Sequence, residues 1–190
     1  MKLMTYYGAK DLAEAFRTVR NNTLIIADEI PEDKYSFRAS PDTRTVAETL
    51  AHIALSPRLA YQIHGVEART TFEGFDFPTF FGKMMAEAAQ PRNKEQTLTL
   101  LRAEGDHQAS WLEGLSDEFL GQQVSMPTGM TPPAKTRFEM LLSMKEHEMH
   151  HRSQLMLIQR IIGIKPHLTR NMEARMAAMQ AAATAAKATV

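Results

Sequence analysis

Apolar residues return every three or four positions along four stretches of the chain, the period of a helix with one buried face. Over residues 9–28, Leu12, Phe16, Val19, Thr23 and Ile26 share such a stripe, and Pro31 ends it. A second helix starts at Thr45, where Thr45-Val46-Ala47-Glu48 matches a capping box. It runs to about His64-Gly65, with Val46, Leu50 and Ile53 as its stripe and Pro57 as a kink or interruption. A third runs from Asn93 to Leu115, with Leu98, Leu101, Gln108, Trp111, Leu112 and Leu115 on its buried face. The fourth, from Lys135 to Ile162, has the clearest pattern. At 100° per residue, Met140, Met144, His147, Leu155, Ile158 and Ile162 fall within about 40° of His151. Gly163 and Pro166 stop this helix.

The connections are long. Residues 31–43 are polar, with Pro31 and Pro41. Residues 66–92 crowd Phe72, Phe75, Phe77, Phe80 and Phe81 around Gly74, Pro78 and Gly82, and a short helix is expected near Thr79–Gln90. Such aromatics mostly pack against one another, and a pocket wall is the other use for them. Residues 116–135 contain Pro127, Gly129, Pro132 and Pro133 and are expected to be irregular. Residues 171–190 are Ala-rich and helical by propensity. Their Met172, Met176 and Met179 recur at helical spacing, a face to dock on the body or on a partner subunit. No stretch shows the alternation of a strand. The expected fold is all-α: a four-helix bundle over residues 1–167 and a C-terminal Ala/Met-rich helical tail over 168–190.

Composition narrows the function. A chain of 190 residues, 44% hydrophobic and 23% charged, builds one core. Its formal net charge is zero, so no whole-chain electrostatic footprint for nucleic acid or an anionic membrane exists, and neither partner is expected. The N-terminal residues lack the apolar run of a signal peptide, and no segment has the apolar length of a membrane span, so the expected location is cytoplasmic. Cysteine is absent, which removes thiolate ligands and a cysteine nucleophile and leaves His, Asp and Glu for any metal. The thirteen methionines read as adaptable core packing.

Three of the seven histidines fall in Lys145-Glu146-His147-Glu148-Met149-His150-His151-Arg152-Ser153-Gln154. His147 and His151, four residues apart, present two imidazoles on one helix face, the spacing of a helical metal clip. His150 lies about 100° from His151 and faces elsewhere. Two imidazoles set among Met and Ile are costly unless satisfied, and a divalent cation satisfies both, whereas the plainer reading gives them side-chain or water partners. A third ligand must come from another helix. His52 is the first choice, with His64, His107 and His167 as alternatives. Three neutral nitrogens suit zinc or nickel, and iron less clearly, and they leave coordination positions open, as catalytic sites do.

The letters His147-Glu148-Met149-His150-His151 also fit H-E-x-x-H, in which Glu148 is the general base of a zinc protease. The extended pattern with its glycine and third histidine is absent, and no sheet precedes the helix. Glu148 is therefore expected to face solvent or to orient a ligand.

The chain resembles the DinB-like (DinB/YfiT) four-helix-bundle superfamily over about residues 9–167. Thr45-Val46-Ala47-Glu48-Thr49-Leu50-Ala51-His52-Ile53-Ala54 carries the resemblance. So do Glu146-His147-Glu148-Met149-His150-His151-Arg152-Ser153-Gln154-Leu155 and Gln159-Arg160-Ile161-Ile162-Gly163-Ile164-Lys165-Pro166. It implies one divalent metal on His52, His147 and His151. It also implies a metal-dependent hydrolase or small-thiol-dependent transferase, a small-molecule substrate or low-molecular-weight thiol as partner, and a homodimer. A non-catalytic protein whose metal braces the bundle is the alternative.

Overall fold

The first helix, α1 (Ala9–Glu29), is fastened at its start by Gly8, whose N–H donates to Asp11 Oδ2 at 2.9 Å. The computed structural model describes residues 7–188. After a short 3₁₀ turn at Glu32–Lys34 come α2 (Val46–Leu55), α3 (Pro57–Ala60) and a π-helical turn (Tyr61–Val66). These follow one another with an interruption at Ser56, just before Pro57, although Ser56 keeps helical φ and ψ. Then follow α4 (Phe77–Ala88), α5 (Lys94–Glu113) and α6 (Asp117–Gly121). The strands β1 (Gln123–Ser125) and β2 (Ala134–Thr136) lead to α7 (Arg137–Ile161) and α8 (His167–Ala188).

Helices α1, α2, α5 and α7 are the bundle. Helix α5 lies along α1, and α2 and α7 close the other side. Each of the three later helices opens on a reciprocal cap. At α2, Glu48 N–H donates to Thr45 Oγ1 at 3.1 Å while Thr45 N–H donates to Glu48 Oε2 at 2.7 Å. Asn93 with Gln96 and Thr136 with Glu139 do the same for α5 and α7. Such a cap contributes about 1 kcal/mol and sets the first residue of each rod.

The core falls into two apolar clusters. One gathers Ile26, Ile30, Val46, Leu50, Ile53, Leu101 and Leu155; the other gathers Leu12, Phe16, Ala60, Leu112, Leu120 and Leu141. Between them along α1 stands buried Arg20, and between them along α7 stands buried Glu148. A charged layer therefore crosses the bundle between its two apolar halves.

Several expectations are corrected by the tertiary structure. The segment 116–135 is not wholly irregular: β1 and β2 pair antiparallel, Val124 opposite Lys135, and Thr71 bridges to Ser125. These three-residue strands are too short to show an alternating pattern, and only buried Val124 marks them. Among the described residues the methionines are not mainly core. Met85, Met130, Met149, Met172, Met176 and Met179 are exposed. Helix α8 is tied to α1 at its start, where His167 Nε2 meets Asn22 Oδ1 at 3.0 Å and Arg170 pairs with Glu29. Beyond that its methionine face lies open and does not dock on the body. Among the described residues no helix is long and apolar enough to cross a membrane.

Candidate metal centre

His52 sits in the last turns of α2, and His147 and His151 sit one turn apart on α7. The packing of α2 against α7 brings the three rings together at one edge of the charged layer. Ring centroids are 4.9 Å apart for His52 and His147, 4.6 Å for His52 and His151, and 4.6 Å for His147 and His151. One ligand nitrogen from each lies within 4.8 Å of the others. The Nε2 atoms of His52 and His147 are 3.1 Å apart. Two nitrogens bound side by side to one ion at about 2.0–2.1 Å are separated by roughly 3 Å, so this spacing fits a shared cation.

The electrostatics suit neutral nitrogen donors. Burial, then the charge of Arg44, then the neighbouring imidazoles hold His52 down to about 4. Burial, His151, His150 and Arg44 hold His147 at about 4 as well. His151 is lowered by burial, against a hydrogen bond to Gln154 that pulls the other way. All three rings are therefore neutral near pH 7, with lone pairs not taken up by protons. Gln154 decides which lone pair His151 offers. Its Oε1 lies 2.8 Å from His151 Nδ1 while its Nε2 lies 3.3 Å from His150 Nε2. With the amide accepting the Nδ1 proton, His151 keeps Nε2 free toward its neighbours.

The other histidines lie elsewhere. His64 is buried, with Nδ1 2.9 Å from Arg137 Nη1. His107 stacks edge-on to Tyr61 with centroids 4.5 Å apart, and His167 holds Asn22. His150 is exposed and packs its ring edge on His151 at 4.8 Å.

Glu148 neither faces solvent nor reaches the histidines. It is 2% exposed, and its carboxylate is held by Arg20, which is 4% exposed. Arg20 Nε donates to Oε1 at 2.9 Å and Nη2 donates to Oε2 at 3.0 Å. The same guanidinium donates to the carbonyls of Leu101 at 2.6 Å and Ile53 at 3.2 Å. With both oxygens engaged by a buried cation, Glu148 is not placed as a general base, and the H-E-x-x-H reading loses its acid–base residue. The stripe of α7 is rotated accordingly: Leu141, Glu148, His151, Leu155 and Ile158 are buried, while Met140 and Met144 are half-buried. A wheel drawn from the sequence turns charges outward and misses a charge that meets its partner inside. Arg20 carried a usable signal, since it falls four residues after Phe16 and three before Thr23 on the stripe of α1.

A cavity of about 370 Å³ opens beside His52, lined by Arg38, Thr43, Arg44, Leu55, Met84 and Met85, among others. The phenylalanines of 72–81 do not wall it. They pack on one another, as Phe75 edge-on to Phe77 at 4.7 Å, and Phe75 and Phe80 line a different hollow. The wall is the second half of α4, which the sequence placed as a helix but not against the histidines.

A helix bundle with a three-histidine cluster beside an open cavity defines a class of small α-helical proteins built to carry a site between two helices. Residues 15–155 match the DinB superfamily, and the chain belongs to it. No curated protein matches the chain by sequence. Among solved structures, a DinB-like protein from Bacillus subtilis is 22% identical, with a TM-score of 0.59 over 80% of this chain and 92% of that one. YfiT from Bacillus subtilis, described as a probable metal-dependent hydrolase with an unusual four-helix bundle topology, is 14% identical. Its TM-score is 0.65 over 87% of this chain and 93% of its own.

A third structure corrects an expectation. ClbS, a colibactin self-resistance protein, is solved in complex with double-stranded DNA. It is 16% identical, with a TM-score of 0.60 over 83% of this chain and 98% of its own. A protein of this fold thus meets nucleic acid, and the exclusion drawn from zero net charge does not stand. Net charge sums the whole surface, whereas phosphates are met by a local set of cations. The thiol substrate and the homodimer rested on the resemblance alone and gain no support from these structures.

Proposed function

We propose that this chain is a metal-dependent hydrolase in which His52, His147 and His151 hold one divalent cation, zinc or nickel. The observation that carries the reading is the convergence of three neutral imidazoles whose ring nitrogens face one another beside a cavity of small-molecule size. The resemblance of the fold to YfiT, described as a probable metal-dependent hydrolase, supports it. A bound divalent ion supplies Lewis acidity, which polarises a carbonyl or phosphoryl group and makes water a stronger acid.

The chain's own residues do the rest. His52 and His147 stay unprotonated near neutral pH because burial and Arg44 disfavour their charged forms. Gln154 holds the tautomer and tilt of His151. Arg20 and Glu148 pin α7 to α1 and, through the Ile53 carbonyl, to the residue beside His52. The three donors thereby sit on a braced frame and not on a loop, which lowers the cost of holding them in register.

Elemental analysis of the purified protein, and of protein reloaded with zinc or nickel, tests the premise. One ion per chain is expected, lost in His52→Ala, His147→Ala and His151→Ala and kept in His150→Ala. Protein that neither retains nor takes up either metal would refute the reading. A metal-loaded protein inert toward p-nitrophenyl esters and bis(p-nitrophenyl) phosphate would leave the metal as a brace.

A further inference from the structure

Arg44 is a solvent-exposed cation that stands outside the ion pairs of the described residues. Among the described residues it makes no ion pair and no hydrogen bond. It lies in the connection just before α2 and lines two hollows that flank the histidines. One is the 370 Å³ cavity that includes His52; the other, about 560 Å³, includes Gln154, the partner of His151.

Two of the other charges of the cavity pair with each other. Arg38 donates to Glu48 Oε1 at 3.1 Å and to the Thr43 carbonyl at 2.6 Å. Glu48 also accepts from Thr45 N–H at 2.7 Å, and Asp42 accepts from Ser40 Oγ at 2.5 Å. Glu48 is thus paired with Arg38, while Asp42, held only by the Ser40 hydroxyl, shares both hollows with Arg44. The opposite wall is apolar: Leu55 from α2 and Met84, Met85 and Ala88 from α4. Met85 is 70% exposed.

We propose that Arg44 is the anion-binding residue of the substrate pocket, and that the pocket takes a small amphiphile. Its carboxylate or phosphate head would sit between Arg44 and the histidine centre, and its short apolar part would lie on Leu55, Met84 and Met85. The proposal rests on the hydrolase reading for the word substrate, but the anion site itself stands on Arg44 and the cavity. A guanidinium offers a planar pair of donors that matches either head group. The volume is that of a small-molecule pocket.

The test is calorimetric titration of hexanoate, hexyl phosphate and hexanol into the protein, both metal-free and zinc-loaded, with Arg44→Met and Arg44→Lys beside the native chain. The native protein is expected to bind one or both anions and to bind hexanol at least about tenfold more weakly. Arg44→Met should lose at least about tenfold in anion affinity with its zinc content unchanged, and Arg44→Lys should recover part of the loss. The two anions tell a carboxylate head from a phosphate head. Equal affinity of the native chain and Arg44→Met, equal binding of hexanol, or no anion binding in either metal state would overturn the proposal. So would a 20-base-pair DNA duplex that displaces hexanoate and loses affinity in Arg44→Met, since Arg44 would then serve a polyanion. Failure of the hydrolase reading shows separately, as a native chain that takes up no zinc yet still loses anion affinity in Arg44→Met.

Discussion

Arg20 and Glu148, 128 positions apart, form a two-pronged ion pair buried in the bundle, one residue along α7 from His147. The pair fills the layer between two apolar clusters and consumes the carboxylate that the H-E-x-x-H spelling would make a base. Its consequence for stability is asymmetric. Removing one partner strands the other charge in the interior, at a cost of about 3–5 kcal/mol. Arg20→Met and Glu148→Gln should each show a loss of that order in urea unfolding. The double variant Arg20→Met with Glu148→Leu should be more stable than either single, although the Leu101 and Ile53 carbonyls lose their donor. Single variants within about 1 kcal/mol of the native chain would mean that water already reaches the pair.

Gly105 on α5 leaves room for this pair. A Cβ there would lie 2.8 Å from Arg20 Cγ and 3.0 Å from Nη1, atoms that the ion pair and two carbonyls hold in place. Gly105→Ala should therefore destabilise: overpacking costs about 1–3 kcal/mol, against a gain of about 1 kcal/mol in helix propensity. In the Arg20→Ala background the same change should become stabilising. Thermal melts of the four chains in that cycle read the coupling, and simple additivity would show that Arg20 moves aside freely.

Gln154 should matter to the metal and not to the fold. It is exposed, so Gln154→Leu is expected to leave metal-free stability within about 0.5 kcal/mol. Losing its hold on His151 Nδ1 should weaken zinc affinity by about 10–100-fold, measured by competition with a chelator. An unchanged affinity would mean that the ring is fixed by packing alone.

His64 gives a pH signature away from the histidine cluster. Burial, then the Arg137 charge, pushes it down to about 4, whereas an unfolded histidine titrates near 6.5. Between those values the unfolded chain binds a proton that the folded chain does not. Stability from this group is therefore fully present above about 6.5, and is lost as pH falls toward about 4. His64→Gln keeps an acceptor for Arg137 without the titration. Urea unfolding of metal-free protein at pH 7.5 and 4.5 should show a larger drop for the native chain than for His64→Gln. Parallel drops would assign the loss to other groups.

Much of the architecture could be read along the chain. The capping pair Thr45 and Glu48 marked the start of α2, and the stripe through Leu12, Phe16 and Ile26 marked α1. Spacing alone brings His147 and His151 together, because four residues make one helical turn wherever the helix lies. The hairpin of β1 and β2 was not legible. Its strands are three residues long, and their pairing reaches across a Pro-rich turn that hides any period.

His52 stood as a candidate in the sequence, but its distance from His147 was a matter for packing. The tertiary structure also decided the partner of Glu148, the free guanidinium of Arg44 and the half of α4 that faces the histidines. Each depends on how two helices cross. Periodicity reports which face of a helix is buried, since burial follows from the hydrophobic effect acting on local sequence. It carries no record of which distant side chain waits on the other side. A charge like Glu148 therefore reads as solvent-facing until Arg20 is seen beside it.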